Sequence, residues 1–332
     1  MNIMALKWII QKLFYMESVM SVKRKIYRIM SVIISVVMFC LLTACGNEIA
    51  DDNSRLKIVA TLFPQYDFAK QITGDNAEVT LLLTPGSESH TYEPTPKDVS
   101  KIQQADIFLY IGGESEVWVD EILKSAQNKN LKTVRLMDYI NPIEESHEDD
   151  EHDHDETEYD EHIFTSLRNS QVLLDEICNA VCEEDKENEE TYKMNAEAYS
   201  EKISELDTKF TDMVNNAQRK TVVFGDRFPF AYFAKDYGLD CHAAFSGCSS
   251  ETEASSATIS SLIDIVKKDN VPTVFYIEFS SQSIANKIAD ASGAKTALLH
   301  SCHNISKEDL ENGTTYVDLM TQNYQNLSEA LN

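Results

Sequence analysis

Positive charge is scarce in this 332-residue chain, where 29 Lys and Arg stand against 55 Asp and Glu for a formal net charge of -26 at pH 7. A surface so poor in Lys and Arg attracts neither nucleic-acid phosphates nor anionic lipid, so cations are the partners it favours. Glycine (10) and proline (7) are few, and residues 189–218 contain neither, so nothing there interrupts a helix. No His-Glu-x-x-His segment occurs, which removes the familiar metallohydrolase helix. A long apolar span is missing as well. The uncharged run at residues 29–42 is shorter than the roughly 20 residues needed to cross a bilayer.

That run has another use. Lys23, Arg24, Lys25 and Arg28 precede it and Leu42-Thr43-Ala44-Cys45 follows it, the order of an export signal ending in a bacterial lipobox. The expectation is cleavage before Cys45, lipidation of Cys45, and residence on the extracytoplasmic face of the cell membrane. Of seven cysteines, Cys40 and Cys45 are thereby consumed, leaving Cys178, Cys182, Cys241, Cys248 and Cys302. An exported chain permits disulfides. Cys248 and Cys302, each after a predicted strand, are the expected bridge, while Cys178 and Cys182 share a helical face and read equally as two buried thiols.

Half of the eight histidines, His147, His152, His154 and His162, fall in residues 144–162, where nearly every other position is Asp or Glu. Without the histidines this would be a solvated acidic linker. With them, imidazole nitrogens and carboxylate oxygens make a donor set for Zn2+ or Mn2+ rather than for copper(I) or an iron–sulfur cluster.

From residue 55 onward, short β-rich runs alternate with helical ones. Residues 56–62, 78–83, 107–111 and 133–137 read as strands, with helices at 64–73 and from Pro96. Residues 221–224, 239–243, 273–277 and 296–299 repeat the arrangement, with helices at 230–236, 259–268 and 283–291. The predicted class is α/β, with two Rossmann-like lobes of mostly parallel strands. Between them Tyr192, Ala196, Tyr199, Ile203, Leu206, Phe210, Met213 and Ala217 recur every three or four residues. This predicts one rigid amphipathic helix about 40 Å long. The expected partition is a signal at 1–44, a tether at 45–54, and a first lobe at 55–165 that carries the acidic loop 144–161. A helical segment follows at 166–218, with its long linker helix at 189–218, and then a second lobe at 219–332.

Ligands of open α/β sheets bind beyond the carboxyl ends of the strands. The loops there hold His90, His162, Asp226, Arg227, Glu278, His300 and His303. Each also has an ordinary reading: a solvent-facing loop histidine for His90, a helix cap for Asp226, an ion pair with Arg227 for Glu278, a core position for His300. His242 lies in or beside a strand and reads as structural.

The lipobox, the opening Ile58-Val59-Ala60-Thr61, the block His90-x-Tyr92-Glu93-Pro94-x-Pro96-x-Asp98, the His/acid loop before His162 and the long helix together resemble the metal-specific solute-binding lipoproteins of ABC importers, most closely their zinc-binding branch. The resemblance implies a monomer that holds one divalent metal between its lobes, Zn2+ with Mn2+ as rival, and performs no chemistry on it. It also implies delivery to a membrane permease driven by a cytoplasmic ATPase. From other classes, a secreted metal-dependent hydrolase and a surface protein of cell adhesion that merely carries metal are the competing readings. By position, His90 matches the first ligand of the family and His162 the second, although Glu161 replaces a proline and Phe164-Thr165 stand where Trp-Leu is common. The third position, three residues before Phe230, is Arg227, whose guanidinium cannot coordinate. We therefore expect His303 as third ligand and Asp226 or Glu278 as fourth, with Arg227 and Glu93 as their outer partners. His147, His152 and His154 are expected to form a weaker auxiliary capture loop, because a flexible segment closes on a metal at an entropic cost.

Overall fold

A computed structural model describes residues 55–144, 158–247 and 254–332. The first sheet comprises β1 (Leu56–Ala60), β2 (Ala77–Leu81), β3 (Ile107–Tyr110) and β4 (Lys132–Arg135), all parallel, in the order β2-β1-β3-β4. Every residue of β3 is buried, which is why Ile-Phe-Leu-Tyr shows no polar alternation. The crossovers are α1 (Phe63–Thr73), α2 (Pro96–Gln103) and α3 (Trp118–Ser125). β1 stops at Ala60, short of the expected residue 62, because α1 begins at Phe63 with Pro64 in its first turn. At the start of α2, Thr95 Oγ1 accepts from Asp98 N at 3.3 Å and donates to Asp98 Oδ2 at 2.6 Å. The Thr95-Pro96-x-Asp98 portion of the histidine block is thus a helix cap.

Two helices follow, α4 (Leu167–Glu184) and α5 (Glu189–Asn216). In α5 the predicted apolar positions from Tyr192 to Met213 are all buried, and only Ala217 falls outside, just past the helix end. The second sheet contains β5 (Thr221–Arg227), β6 (Asp240–Phe245), β7 (Thr273–Tyr276) and β8 (Lys295–Leu298), again parallel, in the order β6-β5-β7-β8. Its helices are α6 (Ala231–Tyr237), α7 (Ser256–Lys268), α8 (Ser283–Ser292) and the short α9 (Lys307–Glu311), and the chain closes with α10 (Tyr316–Leu331). Among the described residues, no helix is long and apolar enough to cross a membrane.

The two sheets do not own separate cores. One continuous apolar cluster runs from Ile58 and Leu109 of the first sheet through Tyr199, Ile203 and Phe210 of α5 to Phe224 and Phe275 of the second. It is continuous because α5 packs on α1, α4 and α10, and α10 returns against β5 and β8. Smaller clusters cover the far face of each sheet. Close packing in the second sheet depends on Gly225, where a Cβ would lie 2.3 Å from the Ala285 Cα of α8. Gly225→Ala is expected to cost about 2–3 kcal/mol by overpacking, visible as a lower midpoint in thermal unfolding.

Four of the cysteines fall within the described residues. Cys302 is a buried free thiol among the described residues, and its expected partner, Cys248, lies outside them. Cys178 and Cys182 are buried on one face of α4 with their sulfurs 3.9 Å apart.

Candidate metal site

The two described flanks of the acidic run meet each other. Glu144 and Tyr159 form an isolated antiparallel bridge, and Asp160 N donates to Ile143 O at 2.9 Å. The Tyr232 hydroxyl accepts from Ile143 N at 3.1 Å and donates to Asp160 O at 2.7 Å, so α6 holds both ends. The last three residues of the run are therefore buried, with Asp160 at 4%, Glu161 at 2% and His162 at 0% exposure. His147, His152 and His154 lie outside the described residues, as does Cys45.

His90, His162 and His303 converge. One imidazole nitrogen from each lies within 4.8 Å of the others, and the ring centroids are 4.5–5.5 Å apart. His90 comes from the loop after β2, His162 from the return of the acidic run after β4, and His303 from the loop after β8, all at carboxyl ends of parallel strands. The outer nitrogens are held by acids. His90 Nδ1 lies 2.9 Å from Glu88 Oε1, and His162 Nδ1 lies 2.8 Å from Asp160 Oδ1. A carboxylate only accepts, so each bond places the imidazole proton on Nδ1 and the lone pair on Nε2. The Nε2 atoms of His90 and His303 are buried without a hydrogen-bond partner.

The His303 loop is stitched to the first lobe. Phe63 N donates to His303 O at 3.3 Å, Gly86 N donates to Ile305 O at 2.9 Å, and Asn304 Nδ2 donates to Thr84 O and Ser87 O, both at 2.8 Å. Cys302, just before His303, is held at φ 66°, a strained conformation for a residue with a side chain. Cys302 N donates to His300 Nδ1 at 2.9 Å, so the core residue His300 shapes the turn that presents His303. Burial drives the His303 pKa well below that of an ordinary imidazole, and the close approach of His162, His90 and the Arg227 guanidinium adds to the fall, so the ring is neutral and its nitrogen available.

The other expected donors are engaged elsewhere. Asp226 Oδ1 accepts from Arg227 N at 2.9 Å and its Oδ2 accepts from Ile277 N at 3.2 Å. Glu278 accepts from Ser301 N at 2.7 Å and from Ser301 Oγ at 2.5 Å. These two acids brace the ends of β5 and β7 and the turn before His303, and neither joins the histidine group. Arg227 pairs with neither of them. Its Nη1 donates to Glu88 Oε2 at 2.8 Å, and the hydrogen bonds from His90 and then Arg227 hold the Glu88 carboxyl well below the usual range. Glu93, expected as an outer partner, is exposed, and Glu88 occupies that role. His242 pairs with Asp240 at 3.4 Å at the edge of the second sheet. Sequence reasoning missed Glu88 and Glu161. The only advance signal for Glu161 was an acid where the resemblance calls for proline.

Comparison with known proteins identifies the chain's relatives. Residues 58–330 match the family model described as "Zinc-uptake complex component A periplasmic". The zinc-binding lipoprotein AdcA of Streptococcus pneumoniae is 33% identical over 304 residues, covering 90% of this chain and 60% of that protein, so the chain spans under two thirds of that relative. The high-affinity zinc uptake system protein ZnuA of Bacillus subtilis is 34% identical over 303 residues, covering 88% of this chain and 94% of that one. Among solved structures, the Zn(II)-bound ZnuA-like domain of S. pneumoniae AdcA superposes with a TM-score of 0.70 at 32% identity, covering 84% of this chain and 99% of that domain.

Proposed function

Since the chain belongs to the family of periplasmic component A proteins of zinc-uptake complexes, a family of transport components rather than enzymes, we propose that it binds one zinc ion between its lobes and hands the ion to a membrane permease. The observation that carries this reading is the convergence of His90, His162 and His303, with nitrogens within 4.8 Å of one another. Three neutral imidazoles suit zinc, whereas manganese sites draw more of their donors from oxygen. Two of the rings are locked by carboxylates on their far nitrogens, the outer-shell arrangement that fixes orientation and raises donor strength. The pocket around them, lined by Glu88, His90, His162, Arg227, Glu278 and His303 among others, joins loops of both sheets, as a receptor that opens and closes on its cargo requires.

In this reading the permease is that of an ABC importer powered by a cytoplasmic ATPase, and the lipid on Cys45 holds the receptor, as a monomer, on the outer face of the membrane. Residues 55–165 and 219–332 are the two lobes, and 166–218 tie them together. His147, His152 and His154 form an auxiliary capture loop, in a run whose described flanks, Glu144 and Tyr159, pair with each other. Titration of metal-stripped protein (residues 46–332) by calorimetry tests the core of the reading. One tight zinc equivalent is expected, with manganese bound more weakly, and His90→Ala is expected to abolish the tight step. Deleting residues 145–157 should leave that equivalent intact. Absence of tight zinc binding in the unaltered protein would overturn the assignment.

A further inference from the structure

Three histidines leave a zinc ion one donor short of its usual four and leave its double positive charge uncompensated in a buried site. The acids nearest the group are already committed. Asp226 and Glu278 each accept at both oxygens from backbone or serine donors, and Glu88 divides its oxygens between His90 and Arg227. Glu161 differs. Its Oε2 accepts from Ser115 N at 3.1 Å, while its Oε1 is buried without a hydrogen-bond partner and lies 3.4 Å from His90 Nε2.

That approach sets two acceptors against each other. With the His90 proton on Nδ1, toward Glu88, Nε2 presents a lone pair to a carboxylate oxygen, an arrangement that a cation between them resolves. The spacing fits as well. Two bonds of about 2.0 Å meeting at a tetrahedral zinc put their donor atoms about 3.3 Å apart. The fold makes room for this carboxylate at Gly113, where a Cβ would fall 2.2 Å from Glu161 Oε2. A second acid stands behind it. Glu116 accepts from Gly112 N at 2.7 Å, and burial pushes its carboxyl up to about 7, with Glu161 contributing through its negative charge.

We propose that Glu161 is the fourth zinc donor, supplying through Oε1 the oxygen that Asp226 and Glu278 do not. This rests on the zinc-receptor reading above. The carboxylate lowers the charge of the bound complex from +2 to +1, and it sits beside His162 on the same short return of the acidic run, so a single segment contributes both a nitrogen and an oxygen.

Glu161→Gln is the discriminating variant. The glutamine oxygen still accepts from Ser115 N, so the loop keeps its anchor, while the amide nitrogen donates to His90 Nε2 and competes with the metal. Chelator-competition titration with zinc is expected to show a loss of roughly 10- to 100-fold in affinity, the scale on which perturbed metal sites respond. The cobalt(II)-loaded variant is expected to lose the intense visible bands of a four-coordinate N3O site, with apo thermal stability unchanged or raised. Glu161→Ala, which removes both oxygens, should reproduce the spectral change. Failure of the unaltered protein to bind zinc would overturn the receptor reading. Tight zinc binding by the unaltered protein, with affinity and cobalt spectrum unmoved in both variants, would overturn the role of Glu161 alone, as would an affinity loss that merely tracks a fall in apo stability with no spectral change.

Discussion

His303→Ala is expected to lower zinc affinity on the order of 100-fold or more, because it takes a nitrogen from a site that has only three. The fold arranges this ring at some cost. It strains Cys302 to φ 66°, anchors His303 O on Phe63 N of the first lobe, and buries an imidazole whose Nε2 has no hydrogen-bond partner. Such an expenditure on a structural histidine would be hard to rationalise, since a leucine would fill the space without an orphaned polar atom. The same burial sets a pH dependence. Burial, then the close approach of His162, His90 and the Arg227 guanidinium, depress the His303 pKa in the folded state, so the unfolded chain takes up a proton at this position first. Its contribution to stability is therefore full above about pH 6.5 and is lost as pH falls from there toward the depressed folded value. Metal-free wild type should lose stability on acidification through that window more steeply than metal-free His303→Ala, a difference that thermal melts at several pH values would read. Competition against a zinc chelator measures the affinity change. Unchanged affinity in His303→Ala, with loss in Asp226→Ala, would move the third donor from the loop after β8 to the end of β5 in the same lobe.

Backbone-level features were legible because hydrophobic period reports directly on burial. Both sheets, their parallel character and the buried face of α5 follow from such patterns. The shared core did not, since it depends on where α10 returns, and nothing local in Tyr316–Leu331 says that it will pack between β5, β8 and α1. At the site, the histidines were legible as donors, but the acids were not. Glu161 is one carboxylate in a crowded acidic run, and composition cannot pick out the three residues at its end that the Tyr232 hydroxyl helps to draw inside. Asp226 and Glu278 sat at suitable strand ends, yet unsatisfied backbone N–H groups of Arg227, Ile277 and Ser301 claim them. Arg227 was legible as a lost ligand. That it would steady His90 through Glu88 required knowing which lobe its side chain faces.

Asp67→Ala is expected to destabilise the protein by about 3–5 kcal/mol, while Asp67→Asn is expected to be tolerated or to stabilise it at neutral pH. Asp67, on α1 and 4% exposed, accepts at Oδ2 from the Tyr199 hydroxyl of α5 at 2.6 Å and from Tyr316 N of α10 at 3.0 Å. Its Oδ1 accepts from Gln71 Nε2 at 3.1 Å. One carboxyl therefore joins the helix beside the first sheet, the long helix and the C-terminal helix, and meets the positive end of α10. Alanine strands the tyrosine hydroxyl and the helix N–H in the interior, at roughly 1–3 kcal/mol for each unsatisfied group, and leaves a void. In a chain of this size the midpoint of thermal unfolding should fall by roughly 6–10 °C. Asparagine keeps an acceptor for Tyr199 and Tyr316 and, with Gln71 turned, a partner for its amide nitrogen. It also removes a charge. Burial raises the Asp67 pKa in the folded state, against the lowering effect of the bonds from Tyr199, Tyr316 and Gln71, so the protonated form contributes stability that is fully present below the unfolded value near 3.9 and is lost as pH rises through the folded value. The advantage of Asp67→Asn over wild type should accordingly be greatest at neutral pH and shrink on acidification. Melts of both variants between pH 4 and 8 would test this. An alanine variant as stable as wild type would show that the joint between the lobes is carried by apolar packing of α5 and α10 alone, and an asparagine variant that melts with alanine would show that the negative charge itself holds α10 in place.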